Sequence, residues 1–354
     1  MGFLRMLLLP VSLCYGLLMM VRNWLFTIGI LRSETFDVAL ISVGNLTAGG
    51  TGKTPQVEYL IRLLKEKYQV ATLSRGYGRD SSGYILASRR SNYKYIGDEP
   101  MQYVRKFQDI KVAVDSHRAR GIHALLKKFP SLDVILLDDA FQHRRVKPGL
   151  SILLTDYLRL YPEDRMLPTG LLREFPCGAN RADMIVVSKT PKVFSPITRR
   201  RILDELKPKK DQQVFFSYIK YDQPVPVSET DVPFQQRYSY ILLMTAIADD
   251  DPLREHLERM CSELVRIKFP DHHPFTEQDL LMVKKRFEDL PSQKKVIVTT
   301  EKDFMRLRIP ELHVLLKTLP LYYIPIETTF HGQDQELFDR AVLDYVQNHV
   351  MARS

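Results

Sequence analysis

One stretch decides how this 354-residue chain is organised: Ser42-Val43-Gly44-Asn45-Leu46-Thr47-Ala48-Gly49-Gly50-Thr51-Gly52-Lys53-Thr54-Pro55. An apolar run over 38–43 precedes it, and apolar residues at helical spacing follow it. Strand, glycine-rich turn and helix are the order that a phosphate-binding loop requires, because glycines let backbone N–H groups surround phosphate oxygens. We therefore predict a nucleotide-phosphate site formed by Gly49, Gly50, Thr51, Gly52, Lys53 and Thr54, in which Lys53 neutralises phosphate charge and Thr54 binds Mg²⁺.

A second polar cluster ends a later apolar strand, in the run Leu136-Leu137-Asp138-Asp139-Ala140-Phe141-Gln142-His143. Because the carboxyl ends of parallel strands meet at one edge of a sheet, we expect these two acids beside the glycine loop. An acid in that position holds Mg²⁺ directly or through water. The alternative is that the aspartates only cap the next turn.

Three further clusters carry suitable chemistry but match no general motif. Gly97-Asp98-Glu99-Pro100 places two acids at a predicted helix start, where helix capping is the alternative. Leu171-Leu172-Arg173-Glu174 offers an arginine for phosphoryl charge and an acid for a metal, or simply an exposed ion pair. Asp271-His272-His273 places adjacent imidazoles in a loop, where they could also bind a metal or face solvent.

The chain as a whole alternates strand-like and helical segments, which is typical of an α/β fold with a mostly parallel sheet flanked by helices. The strands of a P-loop NTPase-like domain over 35–212 are predicted at 38–43, 70–73, 112–114, 134–137, 151–154 and 184–187. An extended segment over 214–234 with Pro224, Pro226 and Pro233 connects it to a second, smaller α/β domain over 213–324. Strands at 240–245 and 295–299 and helices at 252–265 and 277–287 are predicted there, and a C-terminal helix in 325–354 is predicted to pack back on the first domain.

The first 31 residues form an apolar segment that differs from the rest of the chain. No charge occurs from Met6 to Val21, Arg5 and Arg22 bracket this run, and Pro10 interrupts it. No small-residue cleavage site follows, which argues against a signal peptide. We predict a membrane-associated helix lying in the bilayer interface with Trp24 at its boundary, while a true span or a helix buried in the protein or a dimer interface are the alternatives.

Composition restricts the class of partner. The chain has 51 Lys and Arg against 42 Asp and Glu, a formal net charge of +9. This excess favours an anionic substrate or an acidic lipid surface, or merely keeps the protein soluble. The basic residues are dispersed and no RNA-recognition signature occurs, so we expect no nucleic-acid partner. Three separated cysteines without a CxxC pair predict neither a disulfide framework nor a zinc site, as in a reducing cytoplasm.

Taken together, these segments resemble the tetraacyldisaccharide 4'-kinase family, the lipid A 4'-kinases. The resemblance is carried, in order, by the apolar N-terminus, Val43-Gly44-Asn45, Gly49-Gly50-Thr51-Gly52-Lys53-Thr54-Pro55, Ser74-Arg75-Gly76-Tyr77-Gly78, Gly97-Asp98-Glu99-Pro100, Asp138-Asp139-Ala140-Phe141-Gln142-His143, the stretch ending at Glu174, Asp271-His272-His273 and Thr300-Glu301-Lys302-Asp303. Thr47 stands in place of the first glycine of the usual phosphate-binding loop, and this departure resembles a trait of that family. Ala140 stands where the family has glycine.

The resemblance implies transfer of the ATP γ-phosphate to the 4'-hydroxyl of a tetraacylated glucosamine disaccharide 1-phosphate, at the cytoplasmic face of a bacterial inner membrane. It also implies residue roles. Asp98 is the base, with His272 or His273 bonded to it, and Lys53 and Arg173 offset transition-state charge. The Mg²⁺ shell is drawn from Thr54, Asp139 and Glu174, with Asp138 and Gln142 supporting it. The oligomeric state does not follow from the sequence.

A different class with the same loop is a GTPase or ATPase switch that transfers phosphate only to water. Val187-Ser188-Lys189-Thr190 contains the lysine of a guanine-reading loop. That loop needs an aspartate two residues after the lysine, and Pro191 stands there instead. We therefore favour the kinase interpretation and keep the switch as the alternative.

Overall fold

The computed structural model describes residues 8–227 and 234–353. Arg5, Met6 and Pro233, which the sequence predictions invoke, lie outside the described residues. The chain divides into two compact units. The first comprises the residues up to 89, 103–220 and those from 327 onward, and the second comprises 90–102 and 221–326.

The strands and helices are numbered here in chain order. The strands are β1 (Ala39–Asn45), β2 (Val70–Ser74), β3 (Ile85–Leu86), β4 (Lys111–Val114), β5 (Val134–Asp138), β6 (Leu150–Asp156), β7 (Met184–Ser188), β8 (Gln213–Tyr221), β9 (Val225–Pro226), β10 (Tyr238–Thr245), β11 (Cys261–Lys268), β12 (Lys295–Thr300), β13 (Leu321–Ile324) and β14 (Ile326–Phe330). The α-helices are α1 (Leu9–Thr27), α2 (Lys53–Leu64), α3 (Tyr93–Ile96), α4 (Asp98–Lys106), α5 (Arg118–Lys128), α6 (Pro196–Leu206), α7 (Asp251–Glu258), α8 (Glu277–Glu288), α9 (Glu301–Leu307), α10 (His313–Lys317) and α11 (Asp334–Arg353).

The first unit is built on a nine-stranded sheet with the order β14-β8-β7-β6-β1-β5-β2-β4-β3. The strands from β8 to β4 in this order run parallel, and β3 is antiparallel to β4. Every residue of β1, β2, β5 and β7 is buried, as expected for the continuous apolar runs of a parallel sheet covered on both faces. The six strands predicted for this sheet are confirmed, and so is the α/β fold class.

Helices packed on this sheet fix the ends of its strands. Helix α2 buries one apolar stripe completely, Val57, Leu60, Ile61 and Leu64, and packs on β1 and β5. Its helical spacing follows directly from the sequence. Helix α11 packs on β1, and the Tyr345 hydroxyl donates to the main-chain carbonyl of Leu40 at 3.2 Å. The α2 contact holds the amino end of that helix at the carboxyl end of β1.

The predicted proline-rich connection differs from the structure. Residues 213–221 form β8, whose first residues pair in parallel with β7. The first unit therefore continues to residue 220, eight residues beyond the predicted boundary at 212. The reason is that Phe215 and Phe216 bury their rings in the first unit, and the proline-containing part begins only after this strand. Residues 90–102, predicted within the first domain, belong to the second unit.

Helix α1 presents its polar residues to the protein and its apolar residues outward. Ser12 is buried and its hydroxyl donates to Thr169 Oγ1 at 2.9 Å, while the Tyr15 hydroxyl donates to the Arg173 carbonyl at 3.0 Å. Leu18 is 71% exposed and Trp24 is 57% exposed. The exposed apolar residues of this segment are Leu9, Val11, Leu13, Leu17, Leu18, Met20, Val21, Trp24, Ile28, Ile30 and Leu31. The helix is long and apolar enough to cross a membrane by length and composition.

The second unit has a five-stranded sheet with the order β11-β10-β12-β13-β9, parallel except for β9. Its core contains Leu242, Ile297 and Leu280, all fully buried. The helix predicted over 252–265 is wrong in its second half, because α7 ends at Glu258 and β11 follows. Val265 and Ile267 alternate with exposed Arg266 and Lys268, which is the period of an edge strand.

Candidate active site

The glycine loop joins β1 to α2 and is braced by a side chain from the strand itself. Gly52, the residue immediately before α2, has a φ of 81°, a left-handed conformation that favours glycine. The Asn45 amide donates to Thr51 Oγ1 at 2.9 Å. This bond explains why asparagine ends β1, since it fixes the loop whose N–H groups are to surround phosphate oxygens.

Lys53 and Asp139 meet across the ends of two paired strands. Val43 of β1 lies opposite Asp138 of β5, so Asp139 follows directly beside the glycine loop. The Lys53 ammonium lies 3.6 Å from the Asp139 carboxylate and 3.4 Å from Asn45 Oδ1. Asp139 has a φ of 47°. This left-handed conformation is strained for residues other than glycine, and such strained residues are concentrated at functional sites. The expected adjacency of these two motifs is therefore present in the structure.

Arg173 is the second cation on Asp139. Its guanidinium donates to both oxygens of that carboxylate, at 3.0 and 3.1 Å. Burial raises the pKa of Asp139, but the charges of Lys53 and Arg173 outweigh burial and hold the pKa below its ordinary value. Asp139 is therefore ionised at neutral pH. Two cations and one carboxylate leave local positive charge at the place where phosphates would bind.

Glu174 is not the exposed residue that the alternative interpretation assumed. It is 1% exposed and accepts three hydrogen bonds. The donors are Asn23 Nδ2 at 2.6 Å, Arg181 at 2.8 Å and Gln142 Nε2 at 3.1 Å. Gln142 also donates to the Asn45 carbonyl at 2.8 Å, which links this carboxylate to the strand before the glycine loop. Glu174 is thus held by the protein, and one of its donors comes from α1.

Asp138 lies behind Asp139 and is already engaged. The Tyr103 hydroxyl donates to its carboxylate at 3.1 Å, and Arg118 donates to its main-chain carbonyl at 3.0 Å. Burial lowers the pKa of Arg118 to about 10, which leaves its charge intact at neutral pH. Burial, Arg118 and Arg75 together lower the pKa of His143 to about 4, so that ring is neutral. Arg75 and Arg118 therefore lie close enough to His143 to disfavour its protonation.

The predicted magnesium ligands do not form a protein-only cage. Within residues 8–227 and 234–353, no group of three or more His, Cys, Asp and Glu side chains is arranged to hold a metal. Mg²⁺ commonly keeps waters and phosphate oxygens and takes only one or two protein ligands. Thr54, the second residue of α2, and the ionised Asp139 fit that pattern. Asp139 is paired with two cations, whereas the side chains of Asp138, Gln142 and Glu174 are engaged in hydrogen bonds with other protein groups.

A separate cluster in the second unit surrounds Asp98. This carboxylate is 3% exposed, and one oxygen accepts the main-chain N–H of the adjacent Glu99 at 3.0 Å. His272 Nδ1 lies 3.1 Å from its other oxygen, with Lys302 at 3.7 Å and Arg306 at 3.9 Å. Burial raises the pKa of Asp98, but Lys302, His272 and Arg306 together hold the pKa well below its usual range.

The structure distinguishes the two histidines that the sequence left equivalent. His272 contacts Asp98, and its backbone has a φ of 60° with its N–H bonded to the Ala246 carbonyl. His273 points elsewhere, with Nε2 2.9 Å from Asp279 and its ring stacked on Phe269. His272 is therefore the histidine that contacts Asp98, and the prediction of His273 as a possible partner of Asp98 is corrected. Asp279 belongs to the capping box of α8, so His273 serves that helix start.

Sequence reasoning assigned no role to several residues that contact these groups. Lys302 and Arg306 lie on α9, directly after the run Thr300-Glu301, and both reach Asp98. The segment 300–303 contributes to the family resemblance, but no spacing rule connects it with residue 98. Asn23 lies within the apolar N-terminal segment. Its polar side chain among apolar residues was the one sequence feature that could have indicated a contact with the site.

Comparison with known proteins identifies the family. Residues 4–347 match the family described as tetraacyldisaccharide-1-P 4'-kinase. The chain is 45% identical over 355 residues to the tetraacyldisaccharide 4'-kinase of Flavobacterium johnsoniae, covering 99% of each chain. It is 45% identical over 353 residues to that of Bacteroides thetaiotaomicron, covering 96% of this chain and 93% of the relative. A crystal structure of LpxK from Aquifex aeolicus in complex with ATP is similar, with a TM-score of 0.73, 27% identity and coverage of 97% of this chain and 100% of that chain. This chain belongs to the tetraacyldisaccharide 4'-kinase family.

Proposed function

We propose that the chain transfers the γ-phosphate of ATP to the 4'-hydroxyl of a tetraacylated glucosamine disaccharide 1-phosphate through the two clusters described above. The observation that carries this proposal is the ion-pair cluster of Lys53, Asp139 and Arg173 at the glycine loop. It places two cations where charge on a transferring phosphoryl group needs stabilisation. Family membership supplies the acceptor.

The first unit would bind and polarise the nucleotide. Lys53 and the N–H groups of the glycine loop would hold the β and γ oxygens, and Arg173 would add positive charge as the bond to the leaving group breaks. Thr54 and Asp139 would hold Mg²⁺, which supplies further neutralisation of phosphate charge when bound.

Asp98 would accept the proton of the sugar hydroxyl. Its carboxylate is ionised at any physiological pH because the surrounding cations lower its pKa. His272, at 3.1 Å, would orient it. We assign no such role to His273, because its ring is bonded to Asp279.

A direct assay tests the proposed reaction. The full chain is incubated with γ-labelled ATP, Mg²⁺ and detergent-dispersed tetraacyl disaccharide 1-phosphate, and labelled lipid is separated from free phosphate. We expect label on the lipid, and we expect Lys53→Ala to lower its formation at least roughly 100-fold because transition-state charge loses a cation. Label appearing only in free phosphate would support the hydrolytic switch, and no release of label would exclude both interpretations.

The role of Asp98 is tested by Asp98→Asn, which keeps the size of the side chain and removes the base. Turnover should fall roughly 100- to 10,000-fold, the usual contribution of a general base, while the dissociation constant for ATP stays unchanged. Glu99→Gln is the matched control because the two acids are adjacent. If both variants lose the same turnover, or Asp98→Asn loses none, Asp98 is not the base.

The cations around Asp98 predict a pH effect of defined sign. Lys302 lowers the pKa of Asp98, so Lys302→Met should raise that pKa and shift the acidic limb of kcat/KM to higher pH. The loss of activity should therefore be largest at low pH. Lys317→Met, which removes an exposed lysine of the same unit, should leave the profile in place. An acidic limb that stays fixed in Lys302→Met would contradict the assignment.

We further propose that α1 attaches the protein to the cytoplasmic face of the inner membrane. Helix α1 turns its polar side chains toward the protein and its apolar side chains outward, and this arrangement supports the proposal. A row of exposed leucines is unfavourable in water and favourable at a bilayer. Ser12, Tyr15 and Asn23 form hydrogen bonds with other residues of the first unit. A signal sequence is removed from the mature protein and does not need such bonds.

Vesicle binding tests the membrane proposal. Replacing Leu13 and Leu18 together by Ser should lower co-sedimentation with phosphatidylglycerol-containing vesicles at least roughly tenfold, since each buried leucine contributes about 1.5–3 kcal/mol. The control is the double change Ile197→Ser and Val314→Ser, which removes two aliphatic side chains elsewhere that are even more exposed than Leu13 and Leu18. Equal loss in both double variants would mean that α1 is not the membrane contact.

A further inference from the structure

We propose that Asp303 of α9 is a positioning residue for the reaction, which acts through Ala246 and Arg306 to hold the Asp98–His272 pair in place. A positioning residue works through its neighbours and does not touch the reacting atoms. The inference rests on the proposed function, in which Asp98 accepts the hydroxyl proton, and extends that function by one buried acid. Four observations within the second unit carry it.

The first observation is that the main chain of Ala246, the residue after β10, joins Asp303 to His272. The Ala246 N–H donates to the Asp303 carboxylate at 3.1 Å. The Ala246 carbonyl accepts the Arg306 guanidinium at 2.9 Å and the main-chain N–H of His272 at 3.1 Å. Both main-chain polar groups of this fully buried alanine are therefore engaged. Asp303 and Arg306 fix the residue whose carbonyl holds the backbone of His272.

The second observation is that His272 depends on such support. Its φ of 60° is a left-handed conformation, which persists in residues other than glycine only when the surrounding structure enforces it. Its Nδ1 atom lies 3.1 Å from the Asp98 carboxylate. A shift of the Ala246 carbonyl would therefore move the imidazole relative to Asp98. A displacement of about 1 Å at a catalytic group lowers a rate roughly 100-fold.

The third observation is that Asp303 and Arg306 form a buried ion pair. Asp303 is 0% exposed and Arg306 is 1% exposed, and the guanidinium donates to Asp303 Oδ1 at 2.5 Å. The Thr300 hydroxyl donates to Asp303 Oδ2 at 2.7 Å. Burial raises the pKa of Asp303, and the Arg306 charge is the largest influence that opposes this rise. Removal of one partner of such a pair leaves the other buried without its counter-charge.

The fourth observation concerns the distance from Arg306 to Asp98. Arg306 Nε lies 3.9 Å from Asp98 Oδ2, which is beyond hydrogen-bond distance. Its Nε and Nη1 groups have no hydrogen-bond partner in the described part of the chain. Among residues 8–227 and 234–353, Asp303 and Asp98 are the carboxylates within 4.0 Å of this guanidinium. Asp303 therefore holds a cation that would otherwise pair with Asp98 and compete with the hydroxyl proton.

The variant Asp303→Asn tests both parts of this role. An asparagine keeps the size of the side chain but replaces one acceptor oxygen by an NH2 donor. That donor would face Ala246 and Thr300 on one side, or Arg306 on the other, and each of these groups donates to Asp303 in the parent chain. Either arrangement breaks a bond in the chain of contacts that leads to His272.

The experiment is a double-mutant cycle that combines Asp303→Asn with His272→Ala in the lipid-labelling assay, at a temperature where melting curves show every variant folded. We expect Asp303→Asn alone to lower kcat roughly 10- to 100-fold and to leave the KM for ATP within about twofold of the parent value. In the His272→Ala background, Asp303→Asn should lower kcat by no more than about twofold, because the pair that it positions is already broken. A loss of folded protein would reduce turnover by the same factor in both backgrounds.

The matched control is Asp250→Asn. Asp250 is also a fully buried acid of the second unit, and it pairs with Arg266 and Lys268. We expect this variant to keep kcat within about threefold of the parent value. A loss of kcat as large as that of Asp303→Asn would show a general effect of buried acids and overturn the inference.

Three further outcomes are decisive. Unchanged kcat in Asp303→Asn, or an equal loss in both backgrounds, would overturn the inference and leave the proposed function intact. If Asp303→Asn does not fold, the cycle is run with Asp303→Asn/Arg306→Met, which removes both buried charges, and the same criterion applies. If the parent chain placed no label on the lipid, or His272→Ala kept full turnover, the proposed function itself would fail at that step.

Discussion

The first unit depends on one balance of charge, in which a single carboxylate faces two cations at the ends of β1 and β5. Asp139 lies 3.6 Å from the Lys53 ammonium and 3.0 Å from the Arg173 guanidinium. Without that carboxylate the two cations would repel each other beside a loop whose N–H groups already attract anions. Burial alone would raise the pKa of this aspartate, and the two cations outweigh that effect, so the cations and the acid stabilise one another's charged forms. The site is therefore charged and ordered before phosphate arrives, which is the condition for electrostatic catalysis.

The same cluster constrains the N-terminal helix. Tyr15 bonds the carbonyl of Arg173, and Asn23 bonds the carboxylate of Glu174. Arg22 donates to the main-chain carbonyl of Gln142 at 3.0 Å. A helix that attached the chain to a membrane by a loose tether would need none of these bonds. On the proposed function, α1 contacts the lipid surface and is also bonded to Arg173 and Glu174. The phosphate site would therefore keep a fixed orientation relative to the membrane that carries the acceptor.

Local patterns were sufficient for the strands and the glycine loop, because a buried parallel strand is an apolar run and the loop is punctuated by glycines. They failed where tertiary pairing outweighs local preference. Strand β11 follows a helix so closely that its first residues continue the helical pattern of the sequence. The aromatic residues of β8 fall within the predicted connection because prolines follow them.

Side-chain pairing was the least predictable level. His272 and His273 are chemically identical and adjacent, so only the course of the backbone separates them. A left-handed φ at His272 turns one ring to Asp98, and the next ring stacks on Phe269. The cations on α9 were equally invisible, because their approach to Asp98 is set by how the second unit folds. Asp98 was recognisable from its motif in the sequence, whereas the charged side chains around it were not.

Those surroundings bear on how Asp98 would act. A strongly basic carboxylate needs apolar surroundings that raise its pKa, and Asp98 has Lys302, His272 and Arg306 instead. Low basicity is compatible with phosphoryl transfer because the transition state is loose and the bond to the attacking oxygen is only partly formed. The hydroxyl then becomes acidic late, after most of the charge has moved to the leaving group. On the proposed function, the ionised carboxylate would first direct the hydroxyl at phosphorus and then accept its proton, and the neighbouring side chains that weaken it as a base are the groups that keep it ionised and in place.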